Sequence, residues 1–426
     1  MSQLPLQGKR VLVGVGGSIA AYRACDLVRR LRELGATVRV APSKSACAFV
    51  TPLTFEALSG APCLSGLLDM DNGRIAHIEE AYAADAVILA PATANLMAKL
   101  AHGLADEALL ATMLSFIGPI VIAPAMETRM WMHPATQANV ALLQARGASF
   151  VGPVAGALAS GRSGVGRLAH VDDVIDALLS ALSPKDLTGT RIVITAGPTI
   201  EDIDPVRYLT NRSSGKMGVA LARAAARRGA RVDLVHGPLK IAVPAAPLLL
   251  AHPVRSAREM CEMTLALAGP ADAMLLCAAV ADARPANVAR RKLKKTKGEL
   301  ASIALEPTED ILATLGAQRG GPGERPLLVG FAAETSSVEK HARDKLARKR
   351  VDLMCANDVS EPGSGFDVDT NRVILLGRSG RRLVLGPASK VAIADGILDE
   401  VVALLSRATA PGTPRKAKPV RRAGPR

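Results

Sequence analysis

Short apolar runs recur along this chain, and each is followed by a polar turn and then by a stretch of helix formers. Residues 10–15 (RVLVGV), 37–41 (TVRVA), 85–90 (DAVILA) and 119–123 (PIVIA) read as strands. Residues 191–195 (RIVIT), 231–235 (RVDLV), 273–277 (AMLLC), 326–331 (PLLVGF) and 351–355 (VDLMC) open a second series. Apolar strands alternating with amphipathic helices specify a parallel, doubly wound sheet. The expected fold class is therefore α/β with two doubly wound domains, the second Rossmann-like. Residues 372–376 and 381–385 read as a terminal hairpin around Gly377–Gly380. Residues 387–405 read as a closing helix, with Val391, Ile393, Ile397, Val401 and Leu404 on one face.

Pro184 in Ser183-Pro184-Lys185-Asp186 stops the helix over 170–182. The expected organisation is a first domain over 1–182, a link over 183–188, a second domain over 189–405 and a basic tail over 406–426. The tail, rich in Pro, Gly, Lys and Arg without apolar periodicity, is expected to be disordered. It carries part of the formal net charge of +14. Other basic groups cluster at 290–297, with almost no aromatics interleaved, so the charge points to small anionic ligands rather than to a specific nucleic acid. Six cysteines stand singly without CxxC pairs, which argues for a reducing cytoplasm and against a zinc site. No apolar run is long enough to cross a membrane, and the N-terminus lacks a signal-peptide layout.

Ligands of such sheets sit at the carboxyl ends of the strands, where polar loops gather. In the first half these loops are Gly14–Ser18, Pro42-Ser43-Lys44, Pro91–Asn95 and Pro124–Glu127. The turn Gly14-Val-Gly-Gly17 lacks the full G-x-G-x-x-G spacing and reads equally as a phosphate cradle or a chain reversal. In the second half, Thr195–Gly218 is a long loop leading into a helix N-terminus. It carries Arg207, Asn211, Arg212, Ser213, Ser214 and Lys216, which suit a phosphate or carboxylate.

The segments GVGGSIAAYR (14–23), FVTPLTFEALSG (49–60), PATAN (91–95) and PAMETRMW (124–131) resemble the flavin-dependent cysteine decarboxylases. The resemblance covers roughly residues 8–182. It implies a homotrimeric, flavodoxin-like domain, the first of the two, that holds FMN through Ser18, Ser43, Thr93 and Asn95. His77, in RIAHIEE, aligns with the active-site histidine. In that family the substrate thiol is oxidised to a thioaldehyde at the flavin, and loss of CO2 leaves a carbanion delocalised into the thiocarbonyl. The resulting ene-thiolate is then reduced, with a cysteine donating the proton. Two positions depart. The asparagine of the PAMNxxM motif, which binds the substrate carboxylate, is Glu127 here. The proton-donor cysteine of ACGxxGxGRM is Ser160 in ASGRSGVGRL. A carboxylate facing a carboxylate repels it, and a serine hydroxyl is far less acidic than a thiol. Impaired or altered decarboxylation is the expectation. A flavin-binding or assembly module without catalysis, and oxidative decarboxylation of a peptidyl cysteine, are the rival readings.

Residues 189–405 resemble the phosphopantothenate–cysteine ligases through ITAGPTIEDIDPVRYLTNRSSGKMG (194–218), AAVAD (278–282), KLKK (292–295), GFAAET (330–335) and ANDV (356–359). Decarboxylase followed by ligase is the layout of the bifunctional enzymes of coenzyme A biosynthesis. The resemblance implies that CTP, carried with Mg2+, activates 4'-phosphopantothenate as an acyl-cytidylate from which cysteine displaces CMP. It gives Asn211 to the acyl-cytidylate, Arg207 to cysteine attack and Lys292 to activation. It gives Ala278, Asp282, Lys292, Phe331, Lys345 and Lys349 to the nucleotide, together with Thr308, Glu309, Asp310 and Ile311, where Glu309 replaces the usual proline. Lys294, Lys295 and Lys297 read as a solvated lid, and no metal-ligand cage is visible. Trimeric decarboxylase domains and dimeric ligases together imply a homo-oligomer.

Overall fold

The computed structural model describes residues 4–409, apart from 72, 244–245, 295–301, 322–323, 362–364, 366–367 and 379. The expected tail beyond residue 409 lies outside the described residues, as do Lys295 and Lys297. The chain divides between Pro184 and Lys185 into two units.

The first unit is built on a five-stranded parallel sheet in the order Thr37–Pro42, Arg10–Val15, Ala86–Ala92, Ile120–Pro124, Ser149–Phe150. Side chains alternate across it, as strand geometry requires. Val11, Val13 and Val15 pack with Leu27, Val28 and Leu31 of the helix Arg23–Glu33 and with Val174 and Leu178 of the helix Val171–Leu182. Leu12, Leu89 and Ile122 pack on the other face with Met97, Leu109 and Leu143. Burial on both faces explains why these strands read as unbroken apolar runs. The helical stretch that follows the Gly14–Ser18 turn opens as a 3₁₀ turn, Ile19–Tyr22, before the α-helix begins at Arg23.

An eight-stranded sheet organises the second unit. Its order is Leu249–Pro253, Arg231–His236, Arg191–Ala196, Ala273–Leu276, Leu327–Glu334, Leu353–Asp358, Thr370–Gly377, Arg382–Ser389. The last two strands form the expected antiparallel hairpin. The helices Lys216–Arg227 and Lys390–Thr409 cover one face, and Ala257–Ala268, Ile311–Gln318 and Val338–Arg348 cover the other. Alanine in the first of these helices allows close approach to the sheet. At Gly218 even a methyl is excluded, since a Cβ there would lie 2.5 Å from the Ala196 Cβ.

Three local features differ from the sequence expectation. The loop 195–218 contains a two-stranded ribbon, Ile200–Asp202 against Tyr208–Thr210, too short to show an apolar pattern. The helix expected to follow this loop begins within it, at Lys216, directly after Gly215 with its left-handed φ of 79°. The residues expected as a link are anchored in the second unit: Asp186 makes a two-pronged ion pair with Arg228, and Leu187 is fully buried.

Candidate active sites

In the second unit, the carboxyl ends of the strands Arg191–Ala196, Ala273–Leu276, Leu327–Glu334 and Leu353–Asp358 open on a cavity of about 630 Å3. One wall is the segment 278–282, held by backbone and threonine contacts. Thr195 Oγ1 accepts the Ala278 N–H (3.1 Å), Gly197 O accepts the Ala279 N–H (2.9 Å) and Thr199 Oγ1 accepts the Ala281 N–H (3.0 Å). Both threonines are buried. The segment's own carbonyls then fix two predicted residues. Asn211 Nδ2 donates to Val280 O (2.8 Å), and Thr308 Oγ1 donates to Ala281 O (2.5 Å).

Asn211, Ala278, Asp282, Thr308 and Phe331 line this cavity, and so do Glu309, Asp310, Ile311, Lys345 and Lys349. The two lysines are held by carboxylates. Lys345 Nζ donates to Glu334 Oε1 (2.7 Å), and Lys349 Nζ lies 2.8 Å from Asp310 Oδ2. Asp310 also caps the helix Ile311–Gln318 by accepting the Ala313 N–H. Burial pushes its carboxyl up, but the hydrogen bonds from Lys349 and Ala313 outweigh burial and hold it below the usual carboxylate range.

Arg207 and Lys292 are not among the lining residues. Asp204 ties Arg207 to Leu293, the chain neighbour of Lys292. Its Oδ1 accepts the N–H groups of Val206 and Arg207 (both 2.8 Å), and its Oδ2 accepts Arg207 Nη1 and the Leu293 N–H (both 3.1 Å). Arg207 Nη1 donates in addition to Leu293 O (3.2 Å). One buried carboxylate thus ties the turn of the ribbon to the segment that carries exposed Lys292. Burial pushes the Asp204 carboxyl up, but these donors hold it below the usual range. The sequence reading used the DPVR motif for Arg207 alone and missed the aspartate. It also missed Lys390 and Asn371, which line the cavity from the far hairpin and the last helix. A lysine that opens a helix carries no sign in the sequence that it is buried.

Among the described residues no group of three or more His, Cys, Asp or Glu side chains is placed to hold a metal ion.

In the first unit the predicted residues again follow strand ends: Ser18, Ser43, Thr93 with Asn95, and Glu127. Ser18 Oγ accepts the Ala20 N–H (3.3 Å) and Thr93 Oγ1 the Leu96 N–H (3.2 Å), each opening a helical turn. An oxygen that accepts from the backbone keeps its proton to donate, which suits the phosphate of a flavin nucleotide. Ser43 Oγ accepts the Ala46 N–H (3.2 Å). The turn beside them fits its neighbours closely, since a Cβ at Gly16 would lie 2.6 Å from Pro91 O.

A cavity of about 370 Å3 is lined by Ser18, Glu127 and Ser160, but not by Ser43, Thr93, Asn95 or His77. Ser160 sits in the turn of the ribbon Val154–Ala157/Ser163–Arg167 and donates through Oγ to Glu127 Oε2 (3.0 Å). The two positions that depart from the decarboxylase motifs therefore touch each other. His77 is the second residue of the helix Ala76–Ala83, and its Nδ1 is buried with no hydrogen-bond partner among the described residues. A buried ring nitrogen without a partner is costly unless a ligand uses it. The serine and threonine donors, the tight glycine turn and the orphaned His77 nitrogen are each groups that a bound flavin nucleotide can use, although only Ser18 among them lines this cavity.

Residues 2–183 match the family model described as flavoprotein, and residues 187–405 match the DNA/pantothenate metabolism flavoprotein C-terminal domain. The coenzyme A biosynthesis bifunctional protein CoaBC of Vibrio vulnificus (strain YJ016) is 44% identical over 402 residues, covering 94% of this chain and 99% of its own length. The protein of the same name from Escherichia coli (strain K12) is 44% identical over 403 residues, covering 94% and 98%. A solved C-terminal domain of a coenzyme A biosynthesis bifunctional protein CoaBC is 38% identical, covering 52% of this chain and 99% of its own, with a TM-score of 0.44. Matched in both units, in the same order and over nearly the full length of its relatives, the chain belongs to the family of coenzyme A biosynthesis bifunctional proteins.

Proposed function

We propose that the second unit joins 4'-phosphopantothenate to cysteine at the expense of CTP, supplied as its Mg2+ complex. A substrate carboxylate oxygen attacks the α-phosphorus, the bond to the β-phosphate breaks and pyrophosphate leaves. The cysteine nitrogen then attacks the acyl carbon, CMP leaves and the amine gives up a proton. Lys345 and Lys349 hold the triphosphate, with Asp282, Phe331 and the 308–311 turn at the nucleoside. Asn211 holds the acyl-cytidylate, while Asp204 positions Arg207 and the segment that bears Lys292. The observation that carries this reading is the meeting of ten separately predicted residues in one cavity. Mg2+ travels on the phosphates, since such ions lean on substrate oxygens and few carboxylates.

The first unit, in this proposal, binds FMN and receives phosphopantothenoylcysteine, the product of the second. The flavin supplies the redox chemistry. Ser18 and Thr93 donate to its phosphate, and His77 presents its Nδ1 to the bound ligands. Decarboxylation is weakened because the Ser160 hydroxyl is a far weaker acid than a thiol and is engaged as a hydrogen-bond donor to Glu127. The same contact supports a flavin-binding module without turnover as the second reading.

Separate assays of the two half-reactions test both parts. With CTP, phosphopantothenate and cysteine, the full-length protein makes the amide with equal amounts of CMP and pyrophosphate. Failure to make it refutes the ligase assignment. Given phosphopantothenoylcysteine, a yellow protein that releases CO2 slowly supports weakened decarboxylation, and one that releases none supports the second reading. CO2 release that Glu127→Asn and Ser160→Cys do not raise refutes the impairment.

A further inference from the structure

The two positions at which the first unit departs from the decarboxylase motifs meet across a closely fitted junction. The Met126 N–H donates to Gly166 O (3.0 Å), and a Cβ at Gly164 would lie 2.3 Å from Thr128 Oγ1. These two glycines bring the ribbon Val154–Ala157/Ser163–Arg167 onto the segment that follows the strand Ile120–Pro124 and carries Glu127. The turn of the ribbon is closed by its own backbone. The Leu158 N–H donates to Arg162 O (2.7 Å), and the Gly161 N–H donates to Leu158 O (3.0 Å). Ser160 is thereby held against Glu127, and its Oγ donates to Oε2 (3.0 Å).

Glu127 is half-buried on the cavity wall. Among the described residues Ser160 is the sole hydrogen-bond partner of its carboxyl group, and no cation bonds it. Tyr22, Arg23 and Arg167 are the other ionisable groups lining the cavity. Arg23 Nη1 donates to Leu168 O (3.1 Å). Arg167 lies across its own ribbon, with Nη1 2.6 Å from where a Cβ at Gly156 would stand. Ion pairing favours the charged form of a carboxyl, and here only a neutral hydroxyl is bonded to it. Oε2 is engaged by that hydroxyl, which leaves Oε1 for a ligand.

In the decarboxylase reading the substrate carboxylate approaches position 127. Two carboxylates forced into one site repel, and such a pair retains one proton between them. The residue that meets the carboxylate is also close to the carbon that bears it. That carbon is where a proton is required once CO2 has left. The repulsion therefore places an acid where the missing thiol would have acted.

We propose that the carboxyl group of Glu127 is the catalytic acid of the first unit and that Ser160 positions it. The inference rests on the decarboxylase reading above. The bond to CO2 breaks, and its electron pair moves into the thiocarbonyl to give the ene-thiolate. The carbon that lost CO2 then takes the Glu127 proton, which leaves a carboxylate on Glu127 and a thiocarbonyl at the neighbouring carbon. That neighbour regains, from the reduced flavin, the hydride removed from the substrate at the start. The thiolate is restored and no outside oxidant or reductant is consumed. Turnover remains weak because the same repulsion opposes substrate binding.

Glu127→Gln keeps an acceptor for Ser160 and removes the acid. Flavin-loaded protein in excess over phosphopantothenoylcysteine, with oxygen excluded, gives a single turnover. In the wild type the flavin absorbance bleaches and returns, and the saturated thiol is the product. In Glu127→Gln the CO2 is still released, but the absorbance returns at least about 100-fold more slowly, the lower range for a general acid. Its product is the ene-thiol, lighter by two hydrogens. Glu127→Asn, which carries the residue of the decarboxylase motifs, behaves alike and serves if Glu127→Gln fails to fold. Ser160→Ala keeps the acid and slows the return only about five- to tenfold, the scale of one hydrogen bond. Proton uptake gives a readout without turnover. Binding of phosphopantothenoylserine, which lacks the thiol, takes up about one proton more in the wild type than in Glu127→Gln, as counted by calorimetry in two buffers. Equal uptake, a wild-type rate of return in Glu127→Gln, or the ene-thiol as the wild-type product overturns the assignment. So does a Ser160→Ala slower than Glu127→Gln, which would make the hydroxyl the donor. A wild type that releases no CO2 refutes the decarboxylase reading together with this inference, whereas an active wild type with an indifferent Glu127→Gln refutes this inference only.

Discussion

Changing Asn211 to aspartate replaces one nitrogen by oxygen and reverses the logic of the cavity. Asn211 Nδ2 lies 2.8 Å from Val280 O. An aspartate there is an acceptor facing an acceptor, and the lost hydrogen bond costs about 1 kcal/mol. The larger effect is charge. A carboxylate about 4 Å from the substrate carboxylate, at an effective dielectric constant of about 20, repels it by about 4 kcal/mol. Asn211 is exposed at the rim, so salt and water screen part of this and about 2–3 kcal/mol is the realistic share. The sum, roughly 3–4 kcal/mol, corresponds to a fall in kcat/KM of about 10²–10³-fold for amide formation. Asn211→Ala loses the hydrogen bond without adding charge, so its fall is about five- to tenfold. The order is the diagnostic: aspartate must be much worse than alanine. Steady-state kinetics with varied phosphopantothenate measures both, and thermal midpoints within a few degrees of wild type show that the fold is kept. An aspartate variant within tenfold of wild type refutes the role given to Asn211.

In the first unit, Gly16→Ala places a methyl 2.6 Å from Pro91 O and must shift the turn; protein purified from this variant carries less than half the flavin absorbance of wild type at equal protein. The pair Glu127→Asn with Ser160→Cys removes the contact at 3.0 Å and restores an amide and a thiol, and CO2 release from phosphopantothenoylcysteine rises at least about tenfold. Burial pushes the Cys277 thiol up to about 12, while an unfolded cysteine loses its proton from about pH 8.5 upward. The folded state therefore binds the proton more tightly, and its stability falls as pH rises from about 9 towards 12. Denaturant unfolding of Cys277→Ala shows a shallower fall over that window; an unchanged slope refutes the assignment.

Much of this protein is legible in one dimension. Strands such as 10–15 and 191–195 are covered on both faces, so their burial must be written as continuous apolar sequence, and the doubly wound class follows. The residues proposed for the nucleotide gather around the strand ends, where a parallel sheet brings its loops together whatever its detail. That is why ten residues from motifs far apart in the chain line a single cavity. Local sequence could not reveal pairings that depend on approach through space. The ribbon around Asp204 is too short to carry a period, and its carboxylate matters only because Leu293, 89 residues on, donates to it. The contact between Ser160 and Glu127 needs a hairpin folded back onto a strand end. Lys390 falls inside the helix read over 387–405, and nothing in that segment shows that the folded chain buries it on the cavity wall. Sequence determined the elements and the chemical types of the site residues, because propensity and burial act on each segment in its own right. Tertiary structure decided which charges share a wall, because that depends on the faces of the sheet on which the helices land.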